Sequence, residues 1–285
     1  MQKPMTLRPG KHMFFPTLIL IVALQCSFTE PVIRTPHRTP VFKDTTSSHS
    51  DNNTNNYSVR SFVASKMDVF DSLHLEDAGL SKKVFELALN GMAKLIKKSG
   101  IRENIISIID FSQPSINKRL YIIDLDNYEL LFNTWVAHGL KSGKELARSF
   151  SNRQSSYKSS LGFYVTGEAY LGSTGYSMKL LGMEKGLNDR AMRRGIVMHG
   201  ADYVSEDYIN TQGYIGRSWG CPAIGLDFCH PIIDMVKEGT CLYIYHPSLA
   251  AKVTKKKAAT KKSKVSGKTP KKTSKTPSKS SRKGH

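Results

Sequence analysis

Residues 195–204 read G-I-V-M-H-G-A-D-Y-V, and residues 216–223 read G-R-S-W-G-C-P-A. In the first stretch an apolar run, Ile196-Val197-Met198, delivers His199 onto Gly200. A short apolar run bounded by glycines reads as a buried strand. In the second stretch Cys221 stands between Gly220 and Pro222, and the proline disfavours helical geometry at the cysteine. A histidine at the end of one strand and a cysteine at the start of the next suit a thiolate–imidazole pair. Cysteine attacks a carbonyl as its thiolate, and a neighbouring imidazole withdraws the proton. Gly200 and Gly220 would leave room for a substrate. Backbone N–H groups around Trp219–Cys221 would face a tetrahedral oxyanion, with Ser218, Trp219 and Gly220 as the oxyanion-binding or orienting residues. Arg217 would hold a substrate carboxylate in a bidentate fork. Taken singly, each residue also has a plainer reading, since buried cysteines and hydrogen-bonded structural histidines are common.

The segments around this stretch predict a strand-dominated domain. Val84, Leu87, Ala88, Met92, Leu95 and Ile96 recur at helical spacing between Ser81 and Gly100. Residues 105–111 and 120–125 then read as buried strands, and Asp126-Asn127 turns the second into a strand over 130–136. Residues 161–167 and 177–181 are further strands. Pro231 to Lys237 reads as a short helix with proline in its first turn, and 241–245 closes the domain as a strand. The expected fold class is mostly β (α+β), with a helix in front and a short helix after the cysteine.

The two ends of the chain differ from this domain. From Lys252 onward there are 13 Lys and one Arg with no acidic residue, so the tail holds most of the formal net charge of +19. Residues 57–251 carry 22 basic against 20 acidic groups, close to neutral. The high pI therefore gives no reason to expect nucleic-acid binding by the folded domain. Residues 252–285 are a low-complexity polycation, expected to be disordered and able to bind anionic polymers. At the other end Lys3, Arg8 and Lys11 precede an apolar run from Met13 to Leu24, the pattern of an export signal. The expected organisation is a signal peptide over 1–28, a disordered linker over 29–58, a catalytic domain over 59–250 and a disordered tail over 251–285. Export implies a periplasmic or cell-envelope location, and Cys26 could carry a lipid anchor. Of four cysteines, Cys221, Cys229 and Cys241 follow the signal. The last two could pair or both be buried small hydrophobes, the second being preferred. His199, Cys221, Cys229, His230 and Cys241 lack the close cysteine pairing of zinc sites, so no metal is expected.

H-G-A-D-Y-V followed by G-R-S-W-G-C-P-A resembles the signature of the murein L,D-transpeptidase catalytic-domain family, the YkuD-type fold, in its S-W-G-C-P-A branch. The likeness extends through A-R-S-F-S-N, S-S-L-G-F-Y-V-T-G-E, L-N-D-R and R-G-I-V-M-H-G, over roughly residues 120–245. It implies a β-sandwich or barrel catalytic domain that needs no cofactor. It also implies peptidoglycan as partner, Cys221 as nucleophile, and His199 as base, oriented by a backbone carbonyl near Arg217–Ser218. Cys221 would attack the bond after the third residue of a stem peptide, and a second stem amine would resolve the thioester into a 3–3 cross-link. Two departures leave the acceptor open. Trp219 stands where the family commonly has a second histidine, a loss that His138 could cover in substrate binding. Pro222-Ala223 stands where an arginine often follows the cysteine. With water as acceptor the enzyme would be an L,D-carboxypeptidase or endopeptidase. With an idle cysteine it would be a wall- or polyanion-binding protein acting through its tail.

Overall fold

The computed structural model describes residues 51–102 and 104–250. The expected signal peptide, Cys26, most of the expected linker and the Lys-rich tail lie outside the described residues.

Helix α3 (Lys82–Ser99) has the predicted caps. Ser81 Oγ accepts the Val84 N–H at 3.3 Å, and Gly100, at φ 57°, returns its N–H to Ile96. Its buried stripe is Val84, Phe85, Ala88, Leu89, Met92, Ala93 and Leu95, while Leu87 from the predicted set is exposed. Two helices precede it: α1 (Asp51–Lys66) and the short α2 (Asp68–Ser72). The first reaches back into the stretch read as linker. Val59, Phe62 and Val63 join the core from it, and α1 packs on α3. Those apolar residues, just after that stretch, anchor the C-terminal half of the helix.

The strands β1 (Ile105–Asp110) and β2 (Leu120–Asp124) are buried at every position, which is why they read as continuous apolar runs. They form an antiparallel pair. The carboxylate of Asp124 closes the following turn by accepting the N–H groups of Asp126 and Asn127, both at 2.9 Å. The turn leads into β3 (Glu129–Thr134). Next come the long β4 (Gly162–Gly172) and β5 (Gly175–Gly182), then β6 (Val197–Gly200), the short β7 (Ala223–Ile224) and β8 (Cys241–Tyr245). The eight strands form one mixed sheet in the order β3-β2-β1-β8-β4-β5-β6-β7. The last strand in sequence sits inside it, parallel to β1 and antiparallel to β4.

Beyond β3 the chain returns to the opposite edge of this order. Ala137 bridges Ala223 and Gly139 bridges Ser218, so the two ends of the sheet meet and it curls into a nearly closed barrel. That seam lies next to the nucleophile loop. The connection from β6 to β7 carries α4 (Glu206–Gln212), capped by Ser205 and ended by Gly213 at φ 78°.

Helix α5 (Leu226–Val236) follows β7, as expected for a helix after the cysteine, but it begins five residues before the predicted Pro231. Its buried residues Cys229, Ile232, Ile233 and Val236 keep one helical face against the barrel. That packing outweighs the cost of an interior proline. Among the described residues no helix is long and apolar enough to cross a membrane.

Candidate active site

Parallel pairing of β6 with β7 sets His199 beside Ala223, and Cys221 enters that pair two residues earlier. The cysteine accordingly meets the start of β6. Val197 N–H points at Cys221 Sγ at 3.5 Å, and the thiol donates toward Gly195 O at 3.6 Å. His199 is buried, at 6% exposure. Its Nδ1 lies 2.9 Å from the carbonyl of Gly200. A carbonyl only accepts, so Nδ1 carries the proton and Nε2 is left as the basic nitrogen. The orienting carbonyl is therefore the next residue's own, and not one near Arg217–Ser218 as expected from the resemblance.

The expected thiolate–imidazole pair is not closed in this arrangement. Among the described residues no hydrogen bond joins Sγ to the His199 ring. Burial also pushes the Cys221 thiol up, against the Val197 N–H and Arg194, which pull it down. Burial pushes His199 down, against its bond to Gly200. Both effects favour a neutral thiol beside a neutral imidazole.

Ser218 holds the nucleophile loop together. Its Oγ accepts the Gly220 N–H at 3.0 Å and donates to Cys221 O at 2.6 Å. This removes Gly220 from the expected set of oxyanion donors. The N–H groups of Trp219 and Cys221 have no hydrogen bond among the described residues. Two glycines expected to make room for substrate make room for the protein instead. A Cβ on Gly200 would stand 3.0 Å from Cys229 Cβ, on α5. At Gly220, φ is 129° and a Cβ would stand 2.9 Å from Lys158 O and 3.3 Å from an Arg194 nitrogen.

Arg217 is partly engaged. One nitrogen donates to Gly143 O at 3.2 Å, and the guanidinium lies 5.7 Å over the Tyr214 ring. His138, expected to help bind substrate, is fully buried. Arg119 donates to its Nδ1 at 2.8 Å. Desolvation first, then the charge of Arg119, holds the ring down to about 3. The backbone of Gly143 and Lys144 pulls the other way, but Nε2 closes no hydrogen bond among the described residues. His138 is a structural imidazole under the seam; its backbone carbonyl, which takes the Ser218 N–H at 3.0 Å, is its link to the site.

The sequence reading passed over Arg194. Its guanidinium donates to Ser151 O at 2.8 Å, Ser156 Oγ at 3.2 Å, Lys158 O at 2.5 Å and Ser160 Oγ. Among the described residues it has no carboxylate partner. It is a cation fixed beside Gly220 and electrostatically coupled to Cys221. Its position immediately before Gly195, within R-G-I-V-M-H-G, was the available signal. Cys229 and Cys241 are free thiols, buried as preferred. Among the described residues no group of three or more His, Cys, Asp or Glu could hold a metal ion. A cavity of about 400 Å³ adjoins the end of β6 at Ala201, Asp202 and Leu226. Another of about 760 Å³ lies between α3 and the sheet, away from the cysteine.

A family model described as the L,D-transpeptidase catalytic domain matches residues 76–245, more than half of the chain. Among solved structures, the chain is similar to an L,D-transpeptidase from Mycobacterium smegmatis, at 13% identity and TM-score 0.31 over 50% of this chain and 59% of that one. It is similar to the helical cell shape determining protein Pgp2 from Campylobacter jejuni, at 17% identity and TM-score 0.33 over 50% of this chain and 47% of that one. It is also similar to an Enterococcus faecium L,D-transpeptidase, at 12% identity and TM-score 0.31 over 50% of each chain. The match therefore spans about half the length of these proteins. No curated protein matches the chain.

Proposed function

The chain belongs to the L,D-transpeptidase catalytic-domain family, and from that premise we propose that it is an exported cysteine acyltransferase forming 3–3 cross-links between peptidoglycan stem peptides. The observation that carries this reading is the β6–β7 pairing, which brings Cys221 to the strand that carries His199, already oriented by Gly200 O.

With both groups neutral at rest, deprotonation belongs to the substrate complex. The Cys221 thiol turns from Gly195 O toward Nε2 of His199, which takes its proton. The sulfur bonds to the carbonyl carbon of the third stem residue, and the N–H groups of Trp219 and Cys221 meet the oxyanion. His199 returns the proton to the departing amine of D-alanine as the C–N bond breaks. A second stem's amine then attacks the thioester and gives a proton to His199, which reprotonates the released sulfur. Arg194 supplies fixed positive charge near the sulfur during this sequence, and Arg217 offers its remaining donors to a stem carboxylate.

The test is to incubate the full chain with disaccharide tetrapeptides and read the products by mass spectrometry, with Cys221→Ala beside it. Dimers joined between third residues, and lost in the variant, are the expected result. Tripeptide and free D-alanine without dimers would make the protein an L,D-carboxypeptidase. Equal turnover by both proteins would remove Cys221 from the mechanism. Unchanged substrate with both would favour a wall- or polyanion-binding role for the chain.

A further inference from the structure

Resting on the transpeptidase reading and extending it, we propose that Trp219 and Tyr157 form a saccharide-binding platform beside the nucleophile, so that the preferred donor is a stem peptide still attached to its glycan. Trp219 lies two residues before Cys221 and is 76% exposed. The loop that carries it is fixed by Ser218, through Oγ to Gly220 N and Cys221 O and through its N–H to His138 O. The indole is thus held out in solvent by a rigid backbone. Together with the neighbouring Tyr157 ring, the exposed indole offers an apolar face on which a ligand can stack.

Tyr157 forms the second wall. The two rings meet nearly perpendicular, with centroids 5.7 Å apart and planes at 78°. To deliver that ring, Tyr157 adopts φ 53°, a left-handed conformation that a residue with a bulky side chain rarely takes. Lys141 holds it there, since its N–H donates to Tyr157 O at 2.9 Å. The Lys141 ammonium also sits 5.0 Å over the tyrosine ring. An unfavourable backbone conformation kept at the edge of a reactive site points to a use for the side chain it positions.

The chemistry of this corner matches a pyranose. A sugar ring offers a flat face of C–H groups, polarised by adjacent oxygens, to the electron-rich face of an indole. Its rim of hydroxyl and acetamido oxygens accepts from an ammonium such as Lys141. The reach also fits. The sugar is separated from the reacting bond by three stem residues, about 10 Å when extended. Two backbone steps span at most about 7.6 Å between Trp219 and Cys221 Cα atoms, and the indole projects further.

The test titrates the full chain carrying Cys221→Ser with a neutral, peptide-free N-acetylhexosamine oligosaccharide, to which the Lys-rich tail has no charge attraction. Calorimetry should show saturable binding, weakened at least tenfold by Trp219→Ala, partly kept in Trp219→Phe and unaffected by Trp135→Phe. In the active chain, kcat/KM for disaccharide tetrapeptide should exceed that for bare tetrapeptide about tenfold, and Trp219→Ala should bring the ratio close to one. Absence of glycan binding, or equal binding by Trp219→Ala, would overturn the platform. So would a Trp219→Ala effect confined to the bare peptide. The titration needs no turnover, so glycan binding without transpeptidation would count against the proposed reaction alone, and turnover without glycan binding against the platform alone.

Discussion

Ser218 fixes the backbone that carries Cys221 and Arg194 sets the charge near its sulfur, so their substitutions separate geometry from charge. Ser218→Ala leaves Gly220 N–H and Cys221 O without their shared partner. Each lost bond is worth about 1 kcal/mol in stability, so the fold should survive with a Tm lower by a few degrees. Misplacement of a nucleophile costs more, and kcat should fall about ten- to a hundredfold. A variant that loses stability but keeps kcat would show that the staple does not aim the thiol. Arg194 is the nearby positive charge that opposes the effect of burial on Cys221. Arg194→Gln should move alkylation of Cys221 by iodoacetamide to higher pH and slow it several-fold at neutral pH. Arg194→Lys, which keeps the charge, should lie between the two. Identical profiles for Lys and Gln would assign Arg194 to loop packing, through its bonds to Ser151, Ser156, Lys158 and Ser160.

At the scale of elements, one close approach couples a helix to the sheet. A Cβ on Gly91 of α3 would lie 1.8 Å from Phe163 Cζ, and Phe163 is itself stacked on Tyr243 at 4.2 Å. Gly91→Ala should therefore destabilise the fold by about 1–3 kcal/mol despite alanine's better helix propensity. In Gly91→Ala/Phe163→Ala the two costs should not add, because the double change removes the clash. Denaturant titration of the three variants measures this, and strict additivity would show that the contact is relieved elsewhere. The same contrast between local pattern and long-range contact explains how far the sequence could be read. α3, β1, β2 and β8 were legible because burial imposes an apolar period on them. The outer half of β4 was not, since Leu171 and its neighbours project into solvent. α4 buries no residue and shows only its caps. α5 was read only from its proline onward, so the residues before Pro231, which include the buried Cys229, were left out of it. In the site, His199 and Cys221 stood out through their flanking glycines. Arg194, the Gly200 carbonyl and the burial of His138 depend on contacts between segments far apart or on local geometry that composition does not encode.

At the scale of the whole molecule, the barrel closes over a buried cation and a buried imidazole. Arg119 is fully buried and donates to Val136 O, Gln113 O and His138 Nδ1, while burial lowers it to about 9. The guanidinium remains charged at neutral pH, so a proton on His138 would place two positive charges 2.8 Å apart in the interior. The folded value of about 3 for His138 lies below about 6.5 for an unfolded histidine. Between these values the unfolded chain binds a proton that the folded chain does not, so stability rises with pH. The contribution is complete above about pH 6.5 and is lost as pH falls toward 3, at about 1.4 kcal/mol per pH unit. His138→Gln removes this titration and can still accept from Arg119. Between pH 4 and 6 its unfolding free energy should vary less steeply than that of the native chain by about that slope, while His199 titrates alike in both. The loss should also be local at first. His138 lies between the Ala137–Ala223 and Gly139–Ser218 bridges, and its carbonyl anchors Ser218. On acidification, amide exchange should therefore accelerate at Ala137, Leu140 and Ser218 before the β1–β8 centre, and His138→Gln should abolish that lead. Parallel pH slopes for the two chains would show that the seam does not resist acid through His138, and uniform exchange would place the first opening elsewhere in the barrel.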